Sequence, residues 1–307
     1  MHRTGWTQTL LACWLLAVAL LAMAMIAPQA TLASGATTEL QIVRYAADGA
    51  TVLTETTVSY EWMEANLPVH GDGVTHYYHQ GPVFEGDMWD PSRTVNLKDK
   101  GAVRGTAVRD LCELVGGMAP GEEARLVAVD GWSTAFAYEN IYEPLERQGP
   151  IVLAWYNGAE PASGERYGTG YPGLGGYHTA MQIVFVSGTP NEAGQYVFGN
   201  DDMRVCLPEE RYQHYYQGLP STNGLSGKWI SQLIIYSQEE APPGAVASQA
   251  EAVEEPPEAA ERPAGQEVST PGANDLLTPA LWAILGLGGI GLLCIAVAFV
   301  RLRRSVR

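Results

Sequence analysis

Residues 101–117 read GAVRGTAVRDLCELVGG. Val108, Leu111, Cys112 and Val115 recur at the i, i+3, i+4, i+7 spacing that lines one face of a helix. Thr106 is a residue type that caps helix N-termini, and Gly116-Gly117 is the type that ends helices. A helix is therefore predicted over Ala107–Val115. The flanking segments have a different pattern. ELQIVRY (39–45), TVLTETTVSY (51–60), ARLVAVDG (124–131), STAFAYE (133–139), PIVLAWYNG (150–158), AMQIVFVSG (180–188), QYVFGN (195–200) and KWISQLIIYS (228–237) are short runs rich in β-branched and aromatic residues. Turn-forming residues bound them, so each reads as a strand. Asp130-Gly131 and Asn157-Gly158 are tight-turn dipeptides. YEWMEANL (60–67) reads as a second, short helix. The fold class is α+β, strand-dominated, with one domain over residues 37–237. Roughly 200 residues suffice for a single real core.

Outside that domain the composition changes twice. Residues 276–300, LLTPALWAILGLGGIGLLCIAVAFV, contain no charged side chain, and RLRRSVR (301–307) comes after them. A helix needs about 20 apolar residues to cross a bilayer, and arginines favour its cytoplasmic side. One C-terminal transmembrane helix is expected, with a basic cytoplasmic tail. Residues 1–36 carry Arg3, the apolar run LLACWLLAVALLAMAMIA and then small residues. This is the layout of a secretory signal. Residues 238–275 are rich in Pro, Ala and Glu and hold no aromatic residue. Such a stretch buries too little apolar surface to offset its ordering entropy, so a disordered acidic stalk is expected. The chain is expected at the cell membrane, single-pass, with residues 37–275 outside the cytoplasm.

All 34 acidic residues lie between Glu39 and Asp275, whereas the chain has 18 Lys and Arg and a net charge of −16. A surface this acidic excludes nucleic acid and anionic headgroups as partners, since both require basic patches. The membrane partner is the apolar segment alone.

Several side chains are candidates for chemistry. VHGDGVTHYYH (69–79) holds His70, Asp72, His76 and His79, imidazoles and a carboxylate of the kind that zinc or copper accepts. His76 and His79 are three apart, so on a strand they face opposite sides, and joint ligation needs a loop or helical turn. Cys112 and Cys206 are the cysteines of the 37–237 domain. In an oxidising compartment they either pair as a disulfide or remain two buried thiols. The glycine-rich stretch 164–176 lacks the strand–loop–helix order of a dinucleotide loop. EERYQHYY (209–216) reads as a solvated short helix with an aromatic face.

From Gly101 to Ser237 the order of segments resembles the molybdopterin-binding domain of the sulfite oxidase family. The matching pieces are Gly105-Thr106-Ala107-Val108-Arg109-Asp110-Leu111, Ala128-Val129-Asp130-Gly131-Trp132, Ile151–Gly158, Gly170-Tyr171-Pro172, Met181–Phe185 and Gly227-Lys228-Trp229-Ile230. The resemblance implies a sulfite-oxidase-like domain built on a mixed β-sheet, an oxidoreductase activity, and Lys228 near the phosphate of a molybdopterin. It also implies a molybdenum-ligating cysteine upstream of the Gly-Thr-x-x-Arg-Asp-Leu step and export by the twin-arginine route. Residues 37–111 contain no cysteine, and no arginine pair precedes the apolar run.

No cofactor is expected, with molybdopterin as the alternative. The expected function is a membrane-anchored extracytoplasmic binding or structural module without catalysis. The alternatives are a molybdopterin-dependent oxidoreductase and a metal-binding protein using His70, Asp72, His76 and His79. Protease added to intact cells should release a fragment ending within 238–275; protection until lysis would refute the topology.

Overall fold

The computed structural model describes residues 37–243 except Ser163 and Leu174. These fall in one compact unit. Among the described residues the strands form four sheets. The largest is built from β1 (Glu39–Tyr45), β2 (Val52–Ser59), β6 (Glu123–Ala128), β7 (Ser133–Ala137) and β13 (Ile230–Tyr236). Their order across the sheet is β2-β1-β13-β6-β7. The first and last strands lie side by side. β1 runs parallel to β13, from Gln41 beside Gln232 to Tyr45 beside Tyr236, and the other neighbours are antiparallel.

A second sheet contains β5 (Val103–Ala107), β8 (Ile151–Asn157) and β9 (Gln182–Phe185), with β8 in the middle. β8 is covered on both faces, with Tyr156 alone less than fully buried. This explains why IVLAWYN reads as a continuous apolar run instead of an alternating one. Ile151, Leu153 and Trp155 join Leu40, Ile42, Leu126, Leu233 and Ile235 of the five-stranded sheet in the main core. On the other face Ala154 and Val184 pack with Val103, Tyr77, Tyr167, Tyr177 and Ala180 in a second, smaller core. A third sheet pairs β3 (Tyr77–Gln80) with β4 (Leu97–Asp99) and β10 (Tyr196–Phe198). A short hairpin joins β11 (His214–Tyr215) to β12 (Leu219–Pro220).

Among the described residues the helices are few and short: α1 (Tyr60–Asn66), α2 (Val108–Glu113), α3 (Tyr138–Tyr142) and α4 (Asn200–Cys206). Ser59 caps α1 by accepting the Trp62 N–H at 3.3 Å. The expected cap of α2 is different. Thr106 lies within β5 instead, and its Oγ1 accepts the buried Trp155 indole N–H at 3.1 Å. An indole N–H inside a core requires an acceptor, and that demand takes the hydroxyl. The stripe Val108, Leu111, Cys112 does face the core.

The expected architecture therefore needs correction. In place of a sulfite-oxidase-like domain on one mixed sheet, the molecule is mixed α/β, mostly strand, with its strands divided among separate sheets. No helix among the described residues is long and apolar enough to cross a membrane. The apolar segment 276–300, the signal 1–36 and most of the stalk lie outside the described residues. Asp130-Gly131 forms the β6–β7 turn, with the Asp130 carboxylate accepting the Trp132 N–H at 3.0 Å. Asn157-Gly158 makes no hairpin, and the Asn157 amide donates to Gly168 O at 2.7 Å. Residues 209–216 form a 3-10 turn and strand β11 instead of one helix.

A chain beginning at Gly101 lacks β1 and β2, which leaves β13 without its parallel partner. It should collapse without cooperative unfolding in a denaturant titration. A sharp two-state transition would show that residues 37–100 are dispensable.

Candidate functional site

The four expected metal ligands do not converge. His70 bridges to Gly105 through its backbone, and its Nε2 lies 3.7 Å from Asp110. The Asp72 carboxylate closes a local turn, accepting the N–H groups of Thr75 (2.6 Å) and Val74 (2.8 Å) and the Thr75 hydroxyl (2.8 Å). Those bonds hold its pKa below the ordinary carboxylate value. His76 turns to Asp99, whose oxygens lie 3.0 and 2.9 Å from Nδ1. Asp99 is itself fixed by the N–H groups of Gly101 and Ala162, both at 2.8 Å. His79 lies on β3 and is fully buried. Its Nε2 accepts the Phe185 N–H at 3.1 Å, and its Nδ1 has no partner among the described residues. Burial, with the charge of Lys100 adding, lowers its pKa well below the ordinary value, so the ring is neutral with the proton on Nδ1. The two imidazoles have different partners: His76 lies before β3 and faces Asp99, and His79 is buried on β3. Among the described residues no group of three or more His, Cys, Asp or Glu is arranged to hold a metal ion.

Cys112 and Cys206 are both free. Cys112 is buried in α2 with its thiol 3.7 Å from Met118 Sδ, and burial pushes its pKa far up. Cys206 ends α4, and burial pushes its thiol up to about 11. Of the two alternatives open for this pair, the structure has the two separate thiols. A molybdenum centre of the implied kind requires a thiolate ligand. Neither cysteine fits, since both environments favour the protonated thiol.

The densest chemistry lies elsewhere, beside the smaller core. The whole chain has three lysines, Lys98, Lys100 and Lys228. Lys98 and Lys100, two apart at the end of β4, share a face. Lys100 is 2% exposed, and its Nζ donates to Asn223 Oδ1 at 2.5 Å. It also sits 5.9 Å from the centroid of the Tyr167 ring. Lys228 approaches the same ring, with Nζ 4.8 Å from the centroid. Among the described residues neither amine has a carboxylate within ion-pair distance. The Tyr167 hydroxyl donates to Glu165, the carboxylate whose field reaches both lysines. Burial pulls Lys100 down to about 7; Glu165 opposes this, and Lys228 and Lys98 reinforce it. Lys228 is lowered too, by burial first.

Local structure explains how these groups are held. The Glu160 carboxylate accepts the consecutive N–H groups of Tyr167 and Gly168, both at 2.9 Å, and so fixes Tyr167 in the glycine-rich stretch. Gly168 has φ +76°, and a Cβ there would lie 1.9 Å from Gly176 O, so only glycine fits. Beneath the ring, Tyr177 and Thr179 each donate to Gln182 Oε1 at 3.1 Å, and Gln182 donates to Ser226 at 3.0 Å. Lys228 precedes Trp229, whose backbone is left-handed (φ 58°), a costly state for an aromatic residue. The Trp229 indole N–H holds it there by donating to His178 O at 2.8 Å.

No family model matches the chain, and no curated protein matches it. The site is read from its own geometry. Of the expected site residues, Lys228 alone lies in it. Lys100, Tyr167 and Asn223 belong to no sequence motif. The one signal that points to them is the confinement of all lysines to three positions of an acidic chain.

The displaced Lys100 pKa has a signed consequence. The unfolded chain keeps this proton up to the ordinary 10.5, the folded chain only to about 7. Between those values the unfolded state binds more protons, so stability rises with pH. Against Lys100→Met, the wild-type protein should gain up to about 1.4 kcal/mol per pH unit above pH 7. Urea titrations at pH 7, 8 and 9 measure it, and a pH-independent difference would refute a desolvated amine.

Proposed function

We propose that the domain is a non-catalytic binding module, displayed outside the cytoplasm and tethered through residues 276–300, that captures a small oxyanion between Lys100 and Lys228. The observation that carries this reading is the approach of two amines without carboxylate partners to one tyrosine ring, in a chain whose acids outnumber its bases nearly two to one. Lysine is a compact point charge suited to phosphate-like groups. At 4 Å and an effective dielectric near 20, each unit charge attracts an anion by about 4 kcal/mol. The repulsion of the acidic surface is screened beyond roughly 8 Å at physiological salt, so the local field decides. The reading assigns no bond-breaking step. Calorimetric titration of the purified protein with inorganic phosphate and with sulfate tests it. Saturable binding is expected, weakened about tenfold or more by Lys228→Met, while Arg125→Met leaves it unchanged. Absence of binding, or equal binding by both variants, would overturn the reading.

A further inference from the structure

Among the described residues Lys100 makes no ion pair. Lys98 shares its face of the chain, Lys228 stands over the same ring, and both oppose a further ammonium there. The fields of Glu165 and Asp99 favour the ammonium, yet among the described residues neither carboxylate comes within ion-pair distance of it. Asp99 is turned to His76, Gly101 and Ala162, and Glu165 accepts from Tyr167. Among the described residues the one hydrogen-bond partner of the amine is the neutral carboxamide of Asn223. From β3, the buried Nδ1–H of His79 has no acceptor among the described residues, and His79 is near enough for the Lys100 charge to act on it. An ammonium at this position adds a third positive charge. An anion at the same position gives the neighbouring ammonium groups and the unmet N–H something to hold.

We propose that Lys100 is a carbamylation site, at which the neutral amine adds carbon dioxide and the resulting carbamate, held by Lys228, closes the oxyanion site. The nitrogen lone pair attacks the carbon of CO2, one C=O bond pair moves onto oxygen, and a nitrogen proton leaves to solvent. Lys-NH2 and CO2 thus give Lys-NH-COO− and H+, with no oxidant or reductant. The remaining N–H still donates to Asn223 Oδ1. Carbon dioxide is small and uncharged, so it reaches an amine that is 2% exposed, where a bulkier reagent does not. The depressed pKa, due first to burial, leaves roughly half the amine unprotonated near pH 7 and available as the nucleophile. The regulatory half of the proposal rests on the oxyanion reading; the modification itself does not.

The test uses the full chain in buffer containing 13C-bicarbonate, with 13C NMR and with trapping of the adduct by an oxonium alkylating reagent before peptide mapping. The expected result is one labelled side chain, Lys100, with labelling absent in Lys100→Met and Lys100→Arg and reduced several-fold in Lys228→Met. Peptide mapping of the wild-type protein locates the label even if a variant does not fold. Saturating phosphate should suppress labelling, and bicarbonate should weaken phosphate binding several-fold. No label, or label on Lys98, Lys228 or the N-terminal amine instead of Lys100, overturns the proposal. Phosphate binding without a label at Lys100 removes the modification and leaves the oxyanion site. Labelling without phosphate binding keeps the modification and removes the oxyanion reading.

Discussion

β8 has almost no contact with water. A strand covered on both faces must satisfy every backbone N–H and C=O through neighbouring strands, because solvent is absent. β5 and β9 do so along its two edges. Its side chains then supply two interiors at once. Odd-numbered residues 151, 153 and 155 complete the core shared with the five-stranded sheet, and Ala154 belongs to the smaller tyrosine-lined core. This partition places the lysines. They lie on the side of β8 away from the main core, among tyrosines whose rings tolerate cations and whose hydroxyls need acceptors.

Packing alone does not account for an amine there. A cation over a tyrosine face recovers about 0.5–2 kcal/mol. Removing an ammonium from water costs several kcal/mol even after relaxation. The deficit appears as the lowered Lys100 pKa, and the single bond to Asn223 does not close it. A methionine would fill the same space at lower cost near neutral pH. Lys100 thus weakens the fold, as a group serving binding commonly does.

Periodicity is the part of this fold that is legible in the sequence. The run 39–45 coincides with β1, and β13 lies within the run 228–237. The predominance of strand and the apolar stripe of α2 are readable in the same way. β4 and β5 are not, because three to five residues carry too little pattern. Thr106 invites a helical reading, and the competing demand, the Trp155 indole, lies 49 residues away. α4 is hidden because Asn200-Asp201-Asp202 resembles a turn, although Asp202 accepts the Gly199 N–H as a first-turn carboxylate does. The histidines mislead for a different reason. Closeness in sequence suggests a shared ligand, yet His76 precedes β3 and turns to Asp99, while His79 is buried on the strand. The lysine site needs the third dimension, since Lys100 and Lys228 are brought to one ring by the return of the chain through β13.

That return has a mechanical consequence. Because β1 and β13 are adjacent and parallel, the start of one and the end of the other lie at opposite ends of the strand pair. Tension applied between those two points pulls the strands lengthwise past each other. Their five paired positions are then loaded together, in shear, instead of opening one after another like a zipper. Yield under such a load is governed by the unfolding rate, not by equilibrium stability. A domain stretched between the start of its first strand and the end of its last would therefore resist force by the number of rungs between them.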